Sequence, residues 1–271
     1  MKVFVTTSDW YNPIIPAFAH LFNRYWCPRQ AVTILGYTPP AFPLPANFVF
    51  QSLGRKEDFG NDVTEWSDGR RGRHYGELYP TPKWSDSLKR WIDDLHDEHF
   101  ILLQIDYFIH KPVDIQLIER LQHYLQRENV AKIDLSTDRY NSPHSHYEMN
   151  GEIAIIVSDQ DARYRSSLQA AIWKREYLAS MLKPNRSPWD FERHGTYEHM
   201  NDGKLILGVA DPNDGPVPYL NVYGGGRVNW HQLQKIDPAT LTELREHGWM
   251  GPHWNGWAEF SEWNIGSAQW A

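Results

Sequence analysis

Lys2-Val3-Phe4-Val5-Thr6-Thr7, then the run of residues 13–26, then Ala31-Val32-Thr33-Ile34-Leu35-Gly36 decide the fold class. The first stretch is β-branched and aromatic and ends in the polar Thr7-Ser8-Asp9, the pattern of a buried strand that empties into a loop. The second has apolar residues at Ile14, Ile15, Phe18, Leu21, Phe22 and Trp26, a helical spacing with proline at its start. The third is another short strand, and residues 48–53 are one more. Strand, helix, strand at this spacing is a βαβ unit and predicts a parallel sheet. Residues 100–105 are apolar except for Gln104, as in the middle of a sheet covered on both faces. The spacing predicts a helix from Ser85, as N-cap, to about residue 96, an amphipathic helix over 114–127 and a strand over 131–135.

Beyond residue 135 the pattern changes. Residues 141–150 read as a loop, and 152–157 and 163–168 as two neighbouring, antiparallel strands. Helices are expected over 174–182 and from Ser187, where Pro188 takes the first position, and strands over 204–209 and 219–223. Residues 54–83 carry many turn residues and little periodicity, the mark of a long loop. No repeat or linker divides the chain. The expectation is one α/β domain over residues 1–271, with a Rossmann-like half over 1–135 and a mixed half over 136–271.

With 27 Lys and Arg against 34 Asp and Glu, the net charge of −7 gives no overall attraction to nucleic acid or anionic membrane. No apolar run approaches the roughly 20 residues of a membrane span, and the opening residues do not read as a signal peptide. The single cysteine, Cys27, excludes an intramolecular disulfide and any Cys-rich metal site, which points to a reducing, cytoplasmic setting. Thirteen Trp are unusual in 271 residues; Trp249, Trp254, Trp257, Trp263 and Trp270 crowd the C-terminus. Such a Trp-rich tail either covers the core or walls a sugar or base site.

Two places suggest chemistry. The central strand runs into Asp106, which puts a carboxylate at the carboxyl edge of the sheet, where ligands bind in open α/β folds. Asp9 follows the first strand beside Thr6 and Thr7, so the two acids can converge on one crevice or cap local turns. In Ser187-Pro188-Trp189-Asp190-Phe191-Glu192, two acids stand among aromatics at a helix start, which suits either a general base or a helix N-terminus. The histidines, His144 with His146 and His194 with His199 among them, lack a zinc signature. Arg70, Arg71 and Arg73 form the concentrated basic patch, and Arg227 follows a glycine turn; either can meet phosphate.

The ordered set of stretches over residues 1–200 resembles a family of glycosyltransferases with the GT-A fold found in bacteria and phages. The stretches are Leu21-Phe22-Asn23-Arg24-Tyr25-Trp26, Val32-Thr33-Ile34-Leu35-Gly36-Tyr37, Lys83-Trp84-Ser85-Asp86, Phe100-Ile101-Leu102-Leu103-Gln104-Ile105-Asp106-Tyr107-Phe108 with Lys111-Pro112-Val113-Asp114, Ser167-Leu168-Gln169-Ala170-Ala171-Ile172-Trp173 and Ser187 to Glu192. The resemblance implies a nucleotide-sugar donor on the N-terminal half, against Thr6, Thr7, Asp9, Trp84, Ser85, Asp106 and Tyr107. It implies an acceptor near Trp189, Arg70, Arg71, Arg73 and Arg227, and a base at Glu192 or Asp190. It also implies a divalent metal, Mn²⁺ or Mg²⁺, at Asp106, but Ile105 stands where relatives carry a second acid. Three functions follow: transfer to a glycan, transfer to a hydroxymethylated pyrimidine in phage DNA inside the host cytoplasm, or a non-catalytic carbohydrate-binding protein on a degenerate GT-A fold.

Overall fold

The computed structural model describes residues 1–54, 84–136, 138–210, 215–224 and 227–249. In chain order these form β1 (Val3–Thr6), α1 (Ile15–Tyr25), β2 (Val32–Gly36), β3 (Phe48–Ser52), α2 (Trp84–Asp93), β4 (His99–Gln104), β5 (Tyr107–Ile109), α3 (Ile115–Gln122), β6 (Val130–Asp134), β7 (His144–Asn150), β8 (Ile153–Ser158) and β9 (Ala171–Lys174). There follow α4 (Arg175–Met181), α5 (Pro188–Glu198), β10 (Leu205–Val209), β11 (Tyr219–Asn221), β12 (Tyr223–Gly224), β13 (Arg227–Val228), α6 (Trp230–Leu233) and α7 (Pro238–Glu246).

Nine strands make one mixed sheet in the order β3-β2-β1-β4-β9-β6-β10-β8-β7. The βαβ reading holds, since β1 runs parallel to β2 and β4, and β2 parallel to β3. Strand alternation divides the core. Val3, Val5, Ile101 and Leu103 face the layer that holds α1 and α3, while Phe4, Phe100 and Leu102 face Trp84, Leu88 and Trp91 of α2. β9 runs antiparallel between β4 and β6.

Several expectations are corrected. Residues 144–150 are not loop: they pair with β8 as an outer strand, and their polar composition suits an edge open to water. Residues 163–168 are not a strand. Tyr164 takes φ 56°, a left-handed conformation that no strand tolerates, and Ser167 N–H closes a turn onto Tyr164 O at 3.0 Å. β8 therefore pairs with β7 and β10 instead. The helix expected over 114–127 is shorter: Asp114 caps it by accepting from Leu117 N–H at 2.8 Å, and it tightens into a 3₁₀ turn at His123–Gln126. Residues 55–83, expected as a long loop, lie outside the described residues.

One irregularity matters for the site. The register between β6 and β10 steps from Val130↔Leu205 to Lys132↔Ile206, so Ala131 is bulged. A bulge re-aims the side chains that follow it. Here Lys132 comes to lie over the Trp173 ring, at 4.7 Å, on the side of the sheet covered by α5.

A candidate active site at the carboxyl edge

The parallel strands β1 and β4 end side by side. Thr6, buried at the end of β1, donates from Oγ1 to Gln104 Oε1 at 2.6 Å. That bond sets the amide so that Gln104 Nε2 is buried with no hydrogen-bond partner among the described residues. An unmet donor at a sheet edge is matched to an acceptor from outside, such as a carbonyl or phosphate oxygen. Ile105 N–H then bonds to Thr6 O at 3.1 Å, and the turn presents Asp106. Val222 N–H donates to Asp106 O at 3.0 Å, while Tyr107 stacks on Tyr219 at 4.3 Å, so β11 and its continuation wall the crevice. Tyr219 Oη donates to Gln169 Oε1 at 2.5 Å, and Ser136 Oγ donates to the same oxygen at 3.2 Å.

Asp106 keeps part of its surface open but its carboxyl sits deep among protein atoms. That desolvation, with the nearby Glu192 charge added, pushes its pKa up to about 7. A carboxyl raised in the fold favours the folded state below its unfolded value near 4, and this advantage is lost as pH rises through about 7. Asp106→Asn is accordingly expected to raise Tm at pH 8 and to leave it nearly unchanged at pH 4, by roughly 2–4 °C for each kcal/mol recovered. Equal shifts at both pH values would refute this.

Glu192 reaches the same edge from α5. The helix starts with a capping box: Asp190 N–H bonds to Ser187 Oγ at 3.1 Å, and Ser187 N–H reaches back to Asp190 Oδ2 at 3.4 Å. Ser187 Oγ also donates to Asp190 Oδ2 at 2.6 Å, so the Asp190 carboxylate serves the helix start. Phe191 is buried edge-on to Trp84, at 5.4 Å, and to Trp173, at 6.3 Å, which fixes the rotation of the helix. Gly195 lets the loop before β9 approach closely, since a Cβ there would lie 3.3 Å from Ser166 Oγ. Ser166 Oγ donates to Glu192 O at 2.9 Å, and Leu168 N–H donates to Glu192 Oε1 at 2.6 Å. Beneath this loop Asp134, 2% exposed, holds Lys132 Nζ and Arg139 Nε at 2.7 Å each. Gly208 leaves room for Arg139, whose Cβ would stand 2.9 Å from an added methyl group.

The acid that joins Asp106 is thus Glu192. Asp9 instead accepts from Thr38 N–H at 2.9 Å and from Thr38 Oγ1 at 2.8 Å, which ties the end of β1 to the end of β2. Thr7 is buried and bonds through N–H to Leu35 O at 2.9 Å. Trp84, not Ser85, opens α2, and Ser85 is fully buried. Ser85 N–H donates to Arg186 O at 3.0 Å and its Oγ accepts from Arg186 N–H at 2.8 Å, so this reciprocal pair of bonds anchors the approach to α5. Trp189 is 44% exposed beside Asp190. Arg227 begins β13, opposite Gly224. Arg70, Arg71, Arg73 and the tail beyond Trp249 lie outside the described residues. His144 Nδ1 lies 2.7 Å from Ser142 O and His199 Nδ1 3.0 Å from Gly195 O, both local backbone contacts.

Sequence reasoning missed Lys132, Gln169 and Tyr219. A lone Lys in an apolar strand was the available signal for Lys132. Nothing in the local pattern linked the other two to Asp106.

Among the described residues, no three His, Cys, Asp or Glu gather as a metal cage. Mn²⁺ and Mg²⁺ favour several oxygen ligands, and Asp106 and Glu192 offer two carboxylates beside the Gln104 amide donor, so these residues alone do not fit a resident cation. No helix among them is long and apolar enough to cross a membrane.

Neither family models nor curated proteins match the chain. Among solved structures, S. aureus TarS 1-349 aligns over 80% of this chain at 12% identity and TM-score 0.44. The mannosyltransferase PcManGT from Pyrobaculum calidifontis, in complex with GDP-Man and Mn²⁺, aligns over 79% at 13% identity and TM-score 0.40. The galactosyltransferase LgtC, in complex with donor and acceptor sugar analogs, aligns over 73% at 8% identity and TM-score 0.36. The alignments span 58% of the first two chains and 65% of the third. Overlap this partial transfers no residue roles to this chain.

Proposed function

We propose that the protein is a glycosyltransferase that moves a sugar from a nucleotide-sugar donor to an acceptor hydroxyl, with inversion. The observation that carries this reading is the edge where β4 runs out: Gln104 turns an unmet amide donor there, the Tyr107–Tyr219 stack walls it, and Asp106 stands within electrostatic reach of Glu192, which Leu168 N–H holds from α5. In the proposed reaction the acceptor O–H gives its proton to Glu192, the oxygen bonds to the anomeric carbon, and the bond from that carbon to the diphosphate oxygen breaks. Leu168 N–H orients the Glu192 carboxylate for this task, whereas the Asp190 carboxylate is engaged in capping. The Tyr107–Tyr219 stack offers a flat wall for a sugar or base, and Gln104 Nε2 a donor for an oxygen of the nucleotide sugar. The acceptor is a glycan or a hydroxymethylated pyrimidine in DNA, and the exposed Trp189 suits stacking on either.

The test is release of nucleoside diphosphate from a panel of nucleotide sugars, with and without Mn²⁺, in the presence of oligosaccharide or hydroxymethylated DNA. One donor is expected to be turned over, faster with one acceptor class. Donor binding by thermal shift without turnover under any condition would sink the transferase reading and leave a carbohydrate-binding protein. Activity that persists in excess EDTA would show that Asp106 acts without a metal.

A further inference from the structure

The Ser167–Leu168 peptide unit is held at both ends. Its carbonyl, Ser167 O, accepts from Lys132 Nζ at 2.6 Å, and its N–H, on Leu168, donates to Glu192 Oε1 at 2.6 Å. Lys132 is fully buried, and the bulge at Ala131 turns it toward this peptide. Its Nζ is steered from three sides: by Asp134 Oδ1 at 2.7 Å, by the Trp173 ring at 4.7 Å and by Ser167 O. A hydrogen bond to a carbonyl polarises the amide and strengthens the N–H at its other end. One rigid amide therefore couples a buried ammonium to a carboxylate at the surface of the crevice.

We infer that Lys132 is a positioning residue that acts on Glu192 through the Ser167–Leu168 peptide; its effect on turnover rests on the glycosyltransferase reading, whereas the link itself does not. Further contacts of this loop with α5, among them Ser166 Oγ to Glu192 O and Ser166 N–H to Thr196 Oγ1 at 3.2 Å, dock the loop on the helix backbone and hold Leu168 N–H against the Glu192 carboxylate. A misaligned base loses rate without losing substrate affinity.

The test combines spectroscopy with kinetics. In Lys132→Met and in Glu192→Gln the Leu168 amide proton is expected to move upfield and to exchange faster. In Glu192→Gln the Lys132 ammonium signal is expected to shift, a reading that needs only a change on a half-buried helix position. With an active donor, Lys132→Met should lower kcat about 10–100-fold with KM within about twofold. In the Glu192→Gln background the same change should cost nothing further, because residues acting as a unit are non-additive. An unmoved Leu168 amide in Lys132→Met, a Lys132 signal indifferent to Glu192→Gln, or an equal further loss in the double variant would each overturn the inference. If no nucleotide sugar is turned over, the transferase reading fails while the two spectra still decide the link.

Discussion

Glu192→Gln is expected to lower kcat by roughly 10²–10⁴, the usual contribution of a general base, with donor affinity unchanged within about twofold. The substitution keeps size and shape and keeps an oxygen for Leu168 N–H, which donates to Oε1 at 2.6 Å. What it removes is the capacity to take the acceptor proton. Asp190→Asn is the control: its carboxylate accepts from Ser187, so the loss there should fall on stability, about 1 kcal/mol for a weakened cap, with kcat changed only a few-fold. Single-turnover measurements on both variants decide between the two acids. A few-fold loss in Glu192→Gln with a large loss in Asp190→Asn would move the base to Asp190.

Asp134→Asn is expected to have the largest effect on stability, a loss of about 3–5 kcal/mol. It leaves Lys132 and Arg139 buried without their shared carboxylate, and removing one partner of a buried charge group costs far more than an exposed pair contributes. The exposed Lys2–Asp97 pair, at 2.7 Å, is the comparison, and Lys2→Ala should cost less than about 1 kcal/mol. Burial alone would raise the Asp134 carboxyl, but Arg139 and Lys132 outweigh it and hold the group below the usual range. Its contribution is therefore fully present above the ordinary Asp value and is lost as pH falls through the lower folded value. Urea unfolding at neutral and acid pH measures both effects, and a neutral-pH loss under 1 kcal/mol would refute the assignment.

The sheet's parallel half was legible because its strands bury both faces, and unbroken runs such as Phe100 to Leu103 have few other uses. The helix start at Ser187 was legible because its signal is local, with Pro188 at the first position; the capping box that Asp190 completes there is what the structure adds. β7 was missed because an edge strand needs no apolar pattern, and residues 163–168 were misread because composition does not reveal a left-handed Tyr164. Asp106 and Glu192 could be nominated from strand-end and helix-start positions. That they meet each other, and that Asp9 turns to Thr38, depends on packing between elements far apart in the chain. Lys132 stands as a lone Lys in a strand otherwise apolar up to Asp134; only the bulge, the Trp173 ring and Asp134 shared with Arg139 show why it is interior.

The place of β9 governs how the molecule assembles. It pairs His99 with Lys174 on one flank and Lys132 with Trp173 on the other. Until this late segment arrives, β4 and β6 have no strand between them, and the first 135 residues hold two raw edges instead of a closed sheet. Ordering of the chain must therefore wait for contacts of long sequence separation, which slows folding. The same segment delivers the Ser167–Leu168 peptide to α5, so the crevice takes form only once β9 has joined β4 to β6.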